Sequence, residues 1–250
     1  MTFFSSNNSE FSKNIPKQWD MKSAEKVKNA IEALKQGHPI LIIDDEIEGE
    51  GDVCIPAQLA TPKIINFMAT HCRGIICQPI SPEMADRLDL PLMVPGSDLT
   101  PFTVSADAAI VGSGTSAYDR AKTAQVIADP HSTRDDIVRP GHIFPLRARA
   151  DGVFERAGHT EASSDLVRLA GFTPSAVICE VMDKNGQMAR TPELVKFAAQ
   201  HNMPTVTVRD VINYRRQFDT PFLISNGNGS YSRSRSRSRS HEVLVGMAMA

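Results

Sequence analysis

A chain of 250 residues with 41% hydrophobic content is long enough to bury a sizeable core, and its net charge of −2 gives no general attraction to nucleic acid or anionic membrane. Four cysteines without a C-x-x-C pair argue against a zinc site and for buried thiols in a reducing compartment, and no apolar run approaches a membrane span. The polar start MTFFSSNNSEFSKN lacks the apolar stretch of a secretory signal, so a cytoplasmic location is expected.

Residues 1–20, polar and rich in Ser and Asn, read as a flexible N-terminal segment. Residues 23–36 put Val27, Ala30, Ile31 and Leu34 on one helical face, with Gly37 placed to end the helix. PILIID follows as a buried strand. It leads into DDEIEGEGD, where six carboxylates (Asp44, Asp45, Glu46, Glu48, Glu50 and Asp52) fall within nine residues with no Lys or Arg among them. Apolar residues 40–43 and 53–55 pin this run on both sides. Its self-repulsion is relieved either by water around an exposed loop or by a bound cation, and the segment alone leaves both open. An EF-hand fails: Asp44, Glu46, Glu48 and Gly49 suit loop positions one, three, five and six, but position twelve is Ile55 and the flanks are strand-like.

Further on, Thr61-Pro62, Ser81-Pro82 and Thr191-Pro192 each supply an N-cap residue followed by proline at the first helical position. GIICQPI, FTVSADAAIV, SAVICEVM and PTVTV read as strands, and DKNG as a hairpin turn. GSGTSA, between a strand-like and a helix-like stretch, matches a dinucleotide-binding fingerprint. The required acid about 20 residues on would fall in the loop-like ADPHSTRDDIVRPG, so Gly112 and Gly114 are read as a tight turn. RPGHIFPLRA puts His142 in a Pro-Gly turn ahead of a strand. ERAGHTEAS puts Arg156, His159 and Thr160 just before a helix, where amides and a guanidinium suit a phosphate. Glu180 interrupts an apolar strand and needs a partner or a task. Residues 218–250, with their Arg-Ser alternation, read as a disordered tail. Alternating helices and strands predict an α+β class, a mixed sheet covered by helices in a single domain over 21–217.

At this point the residues resemble the 3,4-dihydroxy-2-butanone 4-phosphate synthases of riboflavin biosynthesis. The resemblance runs from about residue 24 to 215, through DDE, EGEGD, ADRLDLPLMV, FTVS-D, SA-DRAKT, RPGHIFPLRA, RAGHTEA, VICEVM and MAR-PEL. It implies a three-layer α/β/α fold and a homodimer with sites at the subunit interface. The implied reaction is the Mg²⁺- (or Mn²⁺-) dependent conversion of D-ribulose 5-phosphate to 3,4-dihydroxy-2-butanone 4-phosphate and formate, a lyase activity. By this resemblance Glu48 and His159 are the metal ligands. Asp52, Glu50, Glu180 and His142 are catalytic, and Glu48, Asp52, Arg156, Ala157, Gly158, His159, Thr160 and Glu180 contact the substrate. The GTP cyclohydrolase domain fused to some relatives is not expected. One departure stands out: the family's Arg-Glu-Asn-Glu-Gly-Asp becomes Ile47-Glu48-Gly49-Glu50-Gly51-Asp52. Isoleucine cannot pair with an anion, which motivates the alternative of a catalytically lapsed homologue acting as a binding or regulatory partner.

Overall fold

In the computed structural model, which describes residues 17–44, 49–96, 99–219, 223–226 and 230–233, the short apolar runs pair into one mixed sheet. Its strands are β1 (Ile40–Ile43), β2 (Gly51–Pro56), β3 (Arg73–Ile80), β4 (Ala106–Ala108), β5 (Ile137–Arg147), β6 (Ala176–Val181) and β7 (Thr205–Thr207). Their spatial order is β4-β5-β3-β6-β2-β1-β7, with β3–β5 and β1–β7 parallel and the other neighbours antiparallel.

Successive strand residues face opposite sides of a sheet, and that alternation builds two cores. Ile40, Ile42, Cys54, Cys77 and Ile178 pack with α1 (Lys17–Lys35), α5 (His159–Leu169) and the start of α7 (Val208–Phe218). Leu41, Ile43, Val53, Ile76 and Cys179 pack with α2 (Pro62–Phe67), α3 (Pro82–Arg87), α4 (Ala117–Ala128) and α6 (Thr191–Gln200). Helices therefore cover both faces, giving the expected three layers and α+β class. All four cysteines are buried and free. Among the described residues no helix is long and apolar enough to cross a membrane.

The local signals act mostly as anticipated. Gly37 ends α1 with φ +75° while the His38 amide reaches back to the Ala33 carbonyl at 2.9 Å. Thr61 and Ser81 accept the amides of Ile64 and Met84, both at 3.3 Å. At Thr191-Pro192 the cap shifts by one residue: Thr191 is already helical, and the Arg190 amide donates to the Glu193 carboxylate at 3.1 Å. The turn at 183–186 closes with the Gly186 amide on the Asp183 carbonyl at 3.1 Å.

Four boundaries differ. Helix α1 begins at Lys17, inside the segment read as flexible. Only Ala106–Ala108 of FTVSADAAIV is strand, because this edge segment shifts register against β5. Pro140-Gly141-His142 is not a turn ahead of a strand. The β4–β5 register passes from Ala106↔Ile143 to Asp107↔Val138, so residues 139–142 bulge out within β5. His159 and Thr160 are the first residues of α5 rather than its approach.

The chain divides into two compact units, Met1–Tyr214 and Arg215–Ala250. In the second, read from sequence as a disordered tail, Leu223–Asn226 (β8) and Ser230–Arg233 (β9) pair as an antiparallel ribbon. The remainder of 220–250 lies outside the described residues.

Candidate active site

Two acids that are distant in sequence meet by strand register. Asp52 on β2 stands directly opposite Glu180 on β6, on the sheet face that α5 covers. Asp52 is only 3% exposed. Burial, and then the charge of Asp52, push the Glu180 carboxyl above the usual carboxylate range. The Ile75 amide, donating to Glu180 Oε2 at 2.8 Å, and the nearby His159 oppose that rise. The same negative field reaches the thiols beneath. Cys54 is pushed up by burial and then by Asp52, and Cys77 by burial, Glu180 and Asp52 in turn.

His159 enters this patch from the helix layer. Gly158, in extended conformation, starts α5 so that His159 Nδ1 lies 4.0 Å from Asp52 Oδ1. Its Nε2 is buried with no hydrogen-bond partner among the described residues. A buried ring nitrogen without a partner, on a histidine near two carboxylates, is an incomplete arrangement, and a cation or a ligand hydroxyl would complete it.

Arg156 lies across Gly158, where a Cβ would come 2.5 Å from its Nη1. Its guanidinium pairs with Glu161 at 2.8 Å, and Glu161, fully buried, also accepts the Arg149 amide at 3.2 Å. Burial raises the Glu161 carboxyl and the Arg156 charge opposes the rise. Ala157 packs against the core beneath α5, and the Thr160 side chain is buried.

His142 belongs to the bulge of β5. Along the parallel strands β3 and β5, two residues before the Cys77–Phe144 pair stand Ile75 and His142. The His142 ring is bonded to Asp107, Nδ1 to Oδ2 at 2.7 Å.

Of the residues named from sequence, Asp52, Glu180 and His159 come together, while His142 is held by Asp107 in the β5 bulge. Glu50 is drawn instead toward Arg190 at the start of α6, 3.3 Å away. Glu48 and Ile47 lie outside the described residues. Sequence reasoning passed over Asp107 and Glu161, the partners of His142 and Arg156. Both stand in quoted motifs, FTVS-D and RAGHTEA, and an acid near a lone His or Arg was the available signal.

The family model of 3,4-dihydroxy-2-butanone 4-phosphate synthase matches residues 28–214. The chain belongs to this family. It is 48% identical over 198 residues to the riboflavin biosynthesis protein RibBA of Bacillus subtilis, covering 78% of this chain and 50% of that one. It is 45% identical over 199 residues to the 3,4-dihydroxy-2-butanone 4-phosphate synthase of Vibrio cholerae, covering 78% and 91%. The chain thus spans half the length of the RibBA relative and nearly all of the shorter synthase. Among solved structures it is similar to the two-domain synthase RibBX of A. baumannii, with TM-score 0.76 and 42% identity over 78% of this chain and 59% of that one. It is also similar to a synthase in complex with two magnesium ions, with TM-score 0.73 and 38% identity over 77% and 97%.

The synthase-family site suits a divalent cation. His159 offers an unengaged buried nitrogen, and the acidic patch supplies the negative field that a hard ion requires. Among the described residues no three His, Cys, Asp or Glu side chains form a metal cage.

Proposed function

We propose that the chain converts D-ribulose 5-phosphate to 3,4-dihydroxy-2-butanone 4-phosphate and formate in riboflavin biosynthesis, in the cytoplasm and as a homodimer. The observation that carries this reading is the pairing of buried Asp52 with half-buried Glu180, with the unpartnered His159 Nε2 nearby, in a member of the synthase family.

His159, together with Glu48, would hold Mg²⁺ (or Mn²⁺). When bound, such an ion supplies Lewis-acid polarisation of the sugar's carbonyl and hydroxyl oxygens. The protein's own groups account for the proton traffic. A sugar that must lose a C–H proton, lose water and release formate needs groups that both take and give protons. Glu180, raised by burial and by the charge of Asp52, holds its proton to higher pH than an ordinary glutamate, which suits it to give and take protons, and Asp52 beside it is assigned to the same transfers. His142, held by Asp107, serves a second proton position. The phosphate end is assigned to Arg156, Ala157, Gly158, His159 and Thr160. There the first amides of α5 and a guanidinium already fixed by Glu161 favour an anion. The buried Thr160 side chain leaves its backbone as the contacting group. Glu50, drawn toward Arg190, is assigned to shaping the acidic loop.

The test is direct. Purified full-length protein is incubated with ribulose 5-phosphate and Mg²⁺, and formate is measured. Formate should appear, stop on addition of EDTA, and resume with Mg²⁺ or Mn²⁺. A folded protein that releases no formate with either ion would overturn the proposal.

A further inference from the structure

We propose that Asp107 is a positioning residue that fixes the tautomer and the aim of His142, and that Gly114 exists to leave room for this pair. The proposal rests on the reading of His142 as a proton-transfer group in the function above, and it concerns residues to which that reading gives no role.

His142 sits in a bulge, residues 139–142, and 45% of its side chain is exposed, so neither strand pairing nor burial alone would hold the ring. Two hydrogen bonds from one carboxylate do so. Asp107 Oδ1 accepts the His142 backbone amide at 2.9 Å, and Oδ2 lies 2.7 Å from ring Nδ1. An ionised carboxylate only accepts, so Nδ1 carries the proton and the neutral ring presents its lone pair at Nε2. Asp107 is itself buried, and the adjacent Ala108 amide is tied to Thr123 Oγ1 of α4 at 2.9 Å. The bulge is pinned a second time where the Gly141 amide donates to Ser105 Oγ at 3.1 Å.

Gly114 closes the arrangement. It adopts φ +79°, and a Cβ there would overlap the Asp107 carboxylate and stand 2.6 Å from His142 Nδ1. Gly112, two residues earlier in the same Gly-x-Gly turn, has open space on its side. The motif that mimics a dinucleotide fingerprint therefore has a steric use at one of its glycines only. Three separate segments, β4, the turn before α4 and the bulge of β5, converge on one ring nitrogen. Merely anchoring the bulge would require the backbone bond but no proton on a chosen nitrogen.

The experiment reads the ring directly and the kinetics beside it. Imidazole ¹⁵N spectra of the full chain, with His142 assigned by comparison with His142→Gln, should show the neutral ring protonated at Nδ1. Asp107→Asn, nearly the same shape, should raise the Nε2-protonated fraction and lower kcat by about 10²- to 10⁴-fold, with KM within about threefold of the parent. Gly114→Ala should reproduce the kinetic loss, whereas Gly112→Ala should not. A parent ring protonated at Nε2 overturns the proposal, whatever the activity. An Asp107→Asn variant that keeps the parent kcat overturns it too, leaving Asp107 an anchor of the bulge. Failure of the parent protein to release formate would sink the functional reading instead, while the ring spectrum still decides on the pair.

Discussion

Glu180 sits opposite Asp52 because two strands pair in one register, and the cost of that pairing falls on ionisation. With its folded-state pKa raised, Glu180 binds its proton more tightly in the folded chain than in the unfolded one. Its contribution to stability is therefore complete below the unfolded glutamate value of about 4.3 and is lost as pH rises through the folded value. Glu180→Gln, which keeps the acceptor for the Ile75 amide, should raise the melting temperature at pH 7 by on the order of a few degrees. Melts in chelator should show that gain vanishing below about pH 4. A gain that persists at acid pH would point to packing rather than charge. Ile47 poses a different question at the same scale. On the proposed function, where the family resemblance sets an arginine against the substrate at this position, Ile47→Arg would supply a charge-assisted contact, and turnover of ribulose 5-phosphate should rise at least about tenfold. An unchanged rate would mean that another group already serves.

The elements carry the site on close backbone approaches. Gly74 in β3 faces the strand that bears Glu180: a Cβ there would overlap the Glu180 carbonyl oxygen and stand 2.9 Å from the Glu180 Cβ. The β3–β6 register shifts between Arg73 and Ile76, which marks the sheet as already irregular here. Gly74→Ala must push β3 from β6, and a shift of that kind costs about 1–3 kcal/mol. Its urea midpoint should fall while the slope stays that of the parent, and formate release should fall with the displaced Glu180. A variant with parent stability would show that this edge yields easily. The caps at Thr61 and Ser81, the Gly37 stop and the 183–186 turn were all legible in sequence because each depends on a few adjacent residues. The cap before α6 was misplaced by one residue because an arginine backbone paired with Glu193 serves as well as the neighbouring threonine.

Across the whole molecule, the family match ends at residue 214 and α7 runs on to Phe218, with Arg215 Nε 3.0 Å from Asp219 within that last stretch. A chain ending at Asp219 keeps this helix-closing pair and lacks only residues 220–250, which lie beyond the family match and include the Arg-Ser alternation. It should melt at the parent temperature, release formate at the parent rate and scatter light as a dimer of the shortened chain. A loss of activity on truncation would assign the tail to the working enzyme. A stable monomer would count against an interface-borne site.

Local periodicity, cap residues and the family motifs sufficed to determine the layers and the class and to name candidate site residues, because each signal lies within a short span of chain. Asp52, Glu180, His159, His142 and Arg156 could all be named in this way. Their grouping was a tertiary matter. The Asp52–Glu180 pair exists only through β2–β6 register, and the turn of Glu50 toward Arg190 joins residues 140 positions apart. Asp107, Glu161 and Gly114 stayed hidden for the same reason. A carboxylate's partner and a glycine's steric purpose are set by what the fold brings within a few ångströms, and hydrogen bonding and van der Waals contact act through space rather than along the chain.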